Sequence, residues 1–326
     1  MRHYLRLGLN TPKDFRQLQK ADTAQGEYNM EFAVHNSGLK PFPLFHALDK
    51  RGAAAHGHSG SRTLKDHLIG TCQILKAWNQ PIDLCLAGLF HSGYATEFFP
   101  HPLFDLTERG DLRRLIGVEA EERVFLFCTI DRRDLLRQLS GTDLIPETGL
   151  KALNFRTQQR WALDQGTVAD LLLIEMANMA EQMSGDGMGP GQWMASVSRL
   201  GYLVREVVSH VPPIFNNCTV GLRSDDEGRA RTAYLQGCAA LSENYLTAKK
   251  DFAEAHSSNP WVFEPQILLG LMALDSADWG EAKRFADQSI NLLRQWGTAW
   301  DKRRSWAEWN ELAERVKSLA ERAMAG

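Results

Sequence analysis

Two stretches constrain this chain most. "PIDLCLAGLF", 81–90, and "LLLIEMANMAEQM", 171–183, are apolar on nearly every side of a helical projection. A helix of that kind is stable in water only when other elements surround it. Both runs are too short to cross a bilayer. The neighbouring sequence is helical as well. In "RTLKDHLIGTCQIL", 62–75, Leu64, Leu68, Cys72 and Leu75 form one stripe. Further helical periods run through 111–139 and through "GPGQWMASVSRLGYLVREVVSHVPP", 189–213. Near the N-terminus, Thr11 and Pro12 read as the start of a helix. Residues 29–61 are irregular, broken by Pro41, Pro43, Gly52, Gly57 and Gly60. "DRRDLLRQ", 131–138, reads as a solvated charged face, and "GDGMGPG", 185–191, as an interhelical turn. No stretch reads as a strand, so the expected fold class is all-α.

Composition narrows the function classes. The 326 residues are 44% hydrophobic and 24% charged, with a net charge of −3. That is ordinary for a globular protein. No basic stripe suggests a nucleic-acid partner, and no apolar or polybasic run suggests a membrane. Five cysteines without a CxxC pair read as reduced core thiols, which fits a cytoplasmic setting. Nucleophile-elbow, P-loop and dinucleotide-binding signatures are missing.

The chemistry concentrates in histidines placed within apolar sequence. His67 lies inside one helical stretch and His91 closes the next, 24 residues later. Two antiparallel helices joined by a short turn can bring such positions together. Asn178 is a third polar group in an otherwise apolar helix, and a buried amide needs partners. Three polar residues on three buried helices suggest one polar pocket. Taken singly, each histidine also reads as a satisfied core residue.

These segments, in this order, resemble the HD superfamily over about residues 50–185, and most of all its stringent-response guanosine tetraphosphate hydrolase domain. "AAAHGHSGSRTLKDHLIGTCQIL" is similar to the opening helix and first histidine, and "CLAGLFHSGYATE" to the His-Asp segment. "LIGVEAEERVFLFC" is similar to the next helix, and "LLLIEMANMAEQM" to the helix with the final aspartate. The resemblance implies a helical bundle in which His67, His91 and Asn178 face one divalent metal. The departures are specific. Ser92 replaces the aspartate beside His91, Ala95-Thr96 replace an acidic pair before Glu97, and Asn178 replaces the last aspartate. Losing two carboxylates favours Fe or Zn over Mg.

On this reading a small polar, phosphorylated or nucleotide-like metabolite meets His58, Arg62, Lys65, Tyr94 and Thr96, with Arg62 or Lys65 on its anion. Glu97 and Ser92 stand at the catalytic positions, Glu97 as the nearest carboxylate for proton transfer. His56 and His58 are further local ligand candidates, although their Gly/Ser-rich loop fits solvated or substrate-facing side chains better. His101 reads as a loop residue and His210 as a helix-end residue. The competing reading is a non-catalytic, HD-derived binding module.

The C-terminal third carries a repeat. Leu235, Ala248 and Phe252 recur in register as Leu269, Ala282 and Ala286, 34 residues on. That period resembles tetratricopeptide repeats over about 228–296. The expected organisation is an HD-like domain at 1–210, a linker at 211–227, and helical repeats with a capping helix at 228–326, the repeats offering a surface to a protein partner. The tryptophans from Trp261 to Trp309 read as repeat packing.

Overall fold

A computed structural model describes residues 41–57, 62–184, 189–216, 221–241 and 243–325. The helix expected near Thr11, and His58, lie outside them. The fold is mainly α-helical, with thirteen α-helices and one two-stranded sheet among the described residues. No described helix is long and apolar enough to cross a membrane. The chain divides into two compact units. The first takes the described residues up to Gln182 and again Val197–Gly221; the second takes Met183–Ser196 and everything from Leu222. The division therefore crosses the chain repeatedly, not once at 211–227.

In the first unit α1 (Pro41–Lys50) precedes α2 (Leu64–Ala77), whose start is set by a capping box. Asp66 N–H donates to Thr63 Oγ1, and the Asp66 carboxylate accepts Thr63 N–H at 2.9 Å. After Pro81 comes α3 (Ile82–Leu89), followed by α4 (Arg109–Ile116), α5 (Val118–Phe127) and α6 (Arg132–Gln138). The long α7 (Gln165–Gln182) is the second all-apolar helix, with Val168, Leu172, Ile174 and Met176 buried. α2 packs against both α3 and α7. α3 ends at Leu89, and the Gly93 carbonyl just beyond it accepts the N–H groups of Leu103 and Phe104.

A hairpin corrects the strand-free expectation. β1 (Leu150–Asn154) and β2 (Gln159–Leu163) pair antiparallel, Leu150 opposite Leu163 and Asn154 opposite Gln159. The Asn154 amide oxygen accepts the N–H groups of Arg156 and Thr157 and so shapes the turn. Asp134 secures the hairpin, accepting from Leu153 N–H at 3.2 Å and from the Arg160 guanidinium at 2.8 Å. Strands of five residues each are too short to show a clear apolar alternation, so no sequence period marked them. The solvated reading of 131–138 holds for the exposed Arg133 and Arg137 and fails for Arg132 and Asp134, which are both buried.

The second unit holds the start of α8 (Met194–Val204), then α9 (Ser224–Ala240), α10 (Tyr245–Ser258), α11 (Glu264–Asp275), α12 (Trp279–Trp296) and α13 (Trp306–Ala325). α9 begins inside the range expected to be linker. The buried Glu227 carboxylate accepts N–H groups from Trp193, Met194 and Ala195 at 2.8–3.0 Å, which ties 193–195 to α9. The 34-residue period is structural. Asn244 and Asp278, at equivalent positions, each cap the following helix through a side-chain oxygen, and Ala248 and Ala282 are both buried. Trp296, Trp300 and Trp309 are buried in this unit's core.

Glu264 is fully buried here. Its Oε1 accepts N–H groups from Trp300 and Asp301, and its Oε2 is buried without a hydrogen-bond partner. Burial, more than any neighbour, pushes this carboxyl up to about 7, from 4.5 in its ordinary state. Below pH 4.5 the group is protonated folded or unfolded and costs nothing. Between pH 4.5 and about 7 the unfolded chain releases this proton while the folded protein keeps it, so stability falls, by of order 3 kcal/mol in all, and levels off above 7. Seven of the nine tryptophans lie in this unit, so fluorescence-monitored melting should show it losing stability between pH 4.5 and 7. Glu264→Gln should flatten that slope.

Gly149 supplies a second expectation. Its φ is +71°, and an added Cβ would lie 1.8 Å from the Leu163 carbonyl oxygen. Gly141 has a similar φ, +79°, but open space around it. Alanine at 141 should cost about 1–3 kcal/mol from backbone strain alone. Alanine at 149 should cost clearly more, read as the difference between the two melting shifts.

Candidate functional site

Close helix approaches set the centre of the site. A Cβ on Gly70 of α2 would lie 2.7 Å from Glu181 Cγ on α7, and one on Gly88 of α3 would lie 2.4 Å from Leu75 of α2. The missing side chains let α2 sit close to both neighbours. His67, on the buried face of α2, then meets Glu181 through Nδ1 and His91 through Nε2, the two Nε2 atoms 3.1 Å apart. Both histidines are 1% exposed. His91 Nδ1 lies 2.7 Å from the Gly88 carbonyl oxygen, and Cys128 donates its thiol to the His91 carbonyl.

The hydrogen bonds specify the tautomers. A carbonyl oxygen only accepts, so His91 carries a proton on Nδ1 and a lone pair on Nε2. Glu181 also accepts from Arg62, whose guanidinium pairs with its other oxygen. It therefore takes the Nδ1 proton of His67, leaving the second Nε2 lone pair. Two lone pairs facing each other at 3.1 Å repel unless a proton or a cation lies between them. Metal-binding histidines show the same pattern, each donating its remote N–H to a carboxylate or carbonyl and leaving the other nitrogen for the ion. Two imidazoles on one ion at 2.0–2.1 Å each can hold their nitrogens about 3 Å apart. Among the described residues, no three His, Cys, Asp or Glu side chains converge as a ligand set.

Asn178 lies on the α7 face that carries Glu175 and Glu181. Its amide donates to Glu175 Oε2 at 3.3 Å. Burial raises the Glu175 carboxyl above its ordinary value, opposed chiefly by the charge of Arg132 and by the Asn178 amide. Arg132 Nε lies 3.5 Å from Glu175 Oε2, and its guanidinium rests on the Phe127 ring that His91 meets edge-on. Ser92 is buried beside His91. Glu97 has one buried oxygen without a hydrogen-bond partner, and burial, then Asp131, raises its carboxyl.

Other expected residues go elsewhere. Lys65 pairs with Asp49 at 2.8 Å. Tyr94 donates to Glu121 at 2.7 Å, in a cluster with Arg109 and Arg113, because that carboxylate is the acceptor its buried hydroxyl reaches. Thr96 accepts the N–H groups of Phe98 and Phe99 and closes a turn. Arg62 is committed to Glu181 and is not an open anion site. His56 stacks on His101 with ring centroids 5.2 Å apart. His210 stands beyond the end of α8, its carbonyl accepting from Gln80. Sequence reasoning missed Glu181, Glu175 and Arg132. The carboxylates carried a signal, since each lies three residues from Asn178 on the same helix face.

Comparison with known proteins bears on part of this site. A family model described as a domain of unknown function (DUF6817) matches residues 47–132, a segment that contains His67 and His91 but not the α7 carboxylates. Neither the curated proteins nor the solved structures provide a match.

Proposed function

We propose that this chain is a divergent HD-type, metal-dependent enzyme acting on a small polar, phosphorylated or nucleotide-like metabolite. The observation that carries the reading is the facing pair of Nε2 atoms, each backed by a committed Nδ1–H. His67 and His91 would hold the ion, Fe or Zn in preference to Mg, since the donors are imidazoles. Such an ion supplies a Lewis acid and an activated water. Glu181 and Arg62 keep His67 in the ligating tautomer, and the Gly88 carbonyl does the same for His91. Glu97 and Glu175 are the carboxyls nearest the pair that burial raises above their ordinary value, and they are the candidates for proton transfer.

A second reading is a non-catalytic binding module. Ser92 and Asn178 in place of carboxylates favour it, with the proton between the imidazoles as the bland occupant. In either case the 34-residue hairpins support a tetratricopeptide-like tail that offers a surface to a protein partner.

Metal analysis of tag-free full-length protein separates the two. The expected result is close to one Zn or Fe per chain, lost in His67→Ala and His91→Ala while the helical signal remains. No metal, even after incubation with Zn²⁺ or Fe²⁺, would establish the binding module instead. Ser92→Asp adds a carboxylate beside His91. It should tighten metal binding if an ion is present, and should destabilise the fold by burying an unpaired charge if none is.

A further inference from the structure

Arg132 and Arg133 open α6, and neither guanidinium makes a hydrogen bond among the described residues, whereas Arg62, Arg109, Arg123 and Arg160 in the same unit all do. Arg132 is 8% exposed, and its Nε is buried without a hydrogen-bond partner. A buried guanidinium with five donors and no hydrogen bond is rare, because the lost hydration is not replaced. Its one ion-pair neighbour is Glu175, at 3.5 Å. The two guanidinia converge on a single exposed ring: Arg132 lies 5.0 Å and Arg133 4.7 Å from the centroid of Phe98, which is 53% exposed. Arg133 is itself exposed and makes no salt bridge among the described residues, although its charge acts on the Glu97 carboxyl.

We infer that Arg132 and Arg133, beside Phe98, form a subsite for a dianionic phosphate group of a small metabolite. Two guanidinia supply two charges and forked donors, which match a phosphate dianion better than a carboxylate monoanion. Phe98 leaves ring surface for a planar part of the same molecule. The subsite adjoins the histidines through Phe127 and Glu175, so it would hold the phosphate of the substrate proposed above, and in that respect it rests on that reading. The acidic neighbours are accounted for. The Asp131 carboxylate accepts the Asp134 N–H at the start of α6, Glu175 faces Arg132 and Asn178, and Glu97 stands within electrostatic reach of both guanidinia, whose charges oppose the upward push of burial on its carboxyl.

The test is calorimetric titration of inorganic phosphate into metal-free full-length protein at constant ionic strength, with acetate as the monoanion control. Removing metal makes the result independent of whether the histidines hold an ion, so phosphate binding can succeed where the metal reading fails, and the reverse. Phosphate should bind more tightly than acetate. Arg133→Gln should weaken phosphate by about tenfold or more, the loss expected for one charged hydrogen-bonding group. Arg132→Lys should weaken it similarly, because a lysine keeps the charge and loses the fork. Because Arg133 is exposed, its variant decides the matter if the Arg132 variant fails to fold. No phosphate binding, equal affinity for acetate, or native affinity in Arg133→Gln would each overturn the subsite.

Discussion

Glu181 reaches His67 and Arg62 from one nearly inaccessible carboxylate, and the polar interior of the first unit follows from that contact. An isolated carboxylate buried among Leu, Ile and Met side chains would cost several kcal/mol. Arg62 supplies the compensating charge and the imidazole N–H supplies the second hydrogen bond. With Nδ1 thus occupied, His67 can turn only Nε2 toward His91. The helix spacing is part of the same constraint, since a side chain at Gly70 would collide with Glu181.

The neighbouring charges obey the same rule less completely. Glu175 and Arg132 are close enough to interact, yet too far apart for a strong hydrogen bond. Glu97 keeps one oxygen without a partner. Structural ion pairs usually satisfy every donor and acceptor, whereas ligand sites leave some unmet until the ligand arrives. The His67–Glu181–Arg62 chain is completed in this way, whereas the Glu97–Arg132–Glu175 group keeps polar atoms without a hydrogen-bond partner.

The second unit uses buried carboxylates differently. Glu227 and Glu264 both accept backbone N–H groups, and so join segments distant in sequence with one acidic side chain each. The apolar repeat packs small residues such as Ala248 and Ala282 between helices, while these carboxylates hold the irregular stretches around 193 and 300. Tight helix packing and buried acid are complementary, because loop N–H groups enclosed by a core must find acceptors somewhere.

Apolar periodicity by itself determined the helical class, the two enclosed helices, the placement of His67 and His91 on adjacent ones, and the 34-residue repeat. Each of these is a local pattern of side-chain type along a helix. The tertiary structure alone decided the rest. Glu181 became the partner of His67 because α2 and α7 approach closely, which no local pattern records. Tyr94 and Lys65 left the expected pocket because Glu121 and Asp49 lay nearer in space. Asp134 within the charged run 131–138 was buried because the β-hairpin brought Leu153 and Arg160 onto it, and two five-residue strands were too short to give a periodic signal of their own. The placing of residues 193–195 against α9 likewise involves a long-range carboxylate, Glu227. Partner choice among charged and polar groups is set by distance in the folded chain, and composition along the sequence carries little information about it.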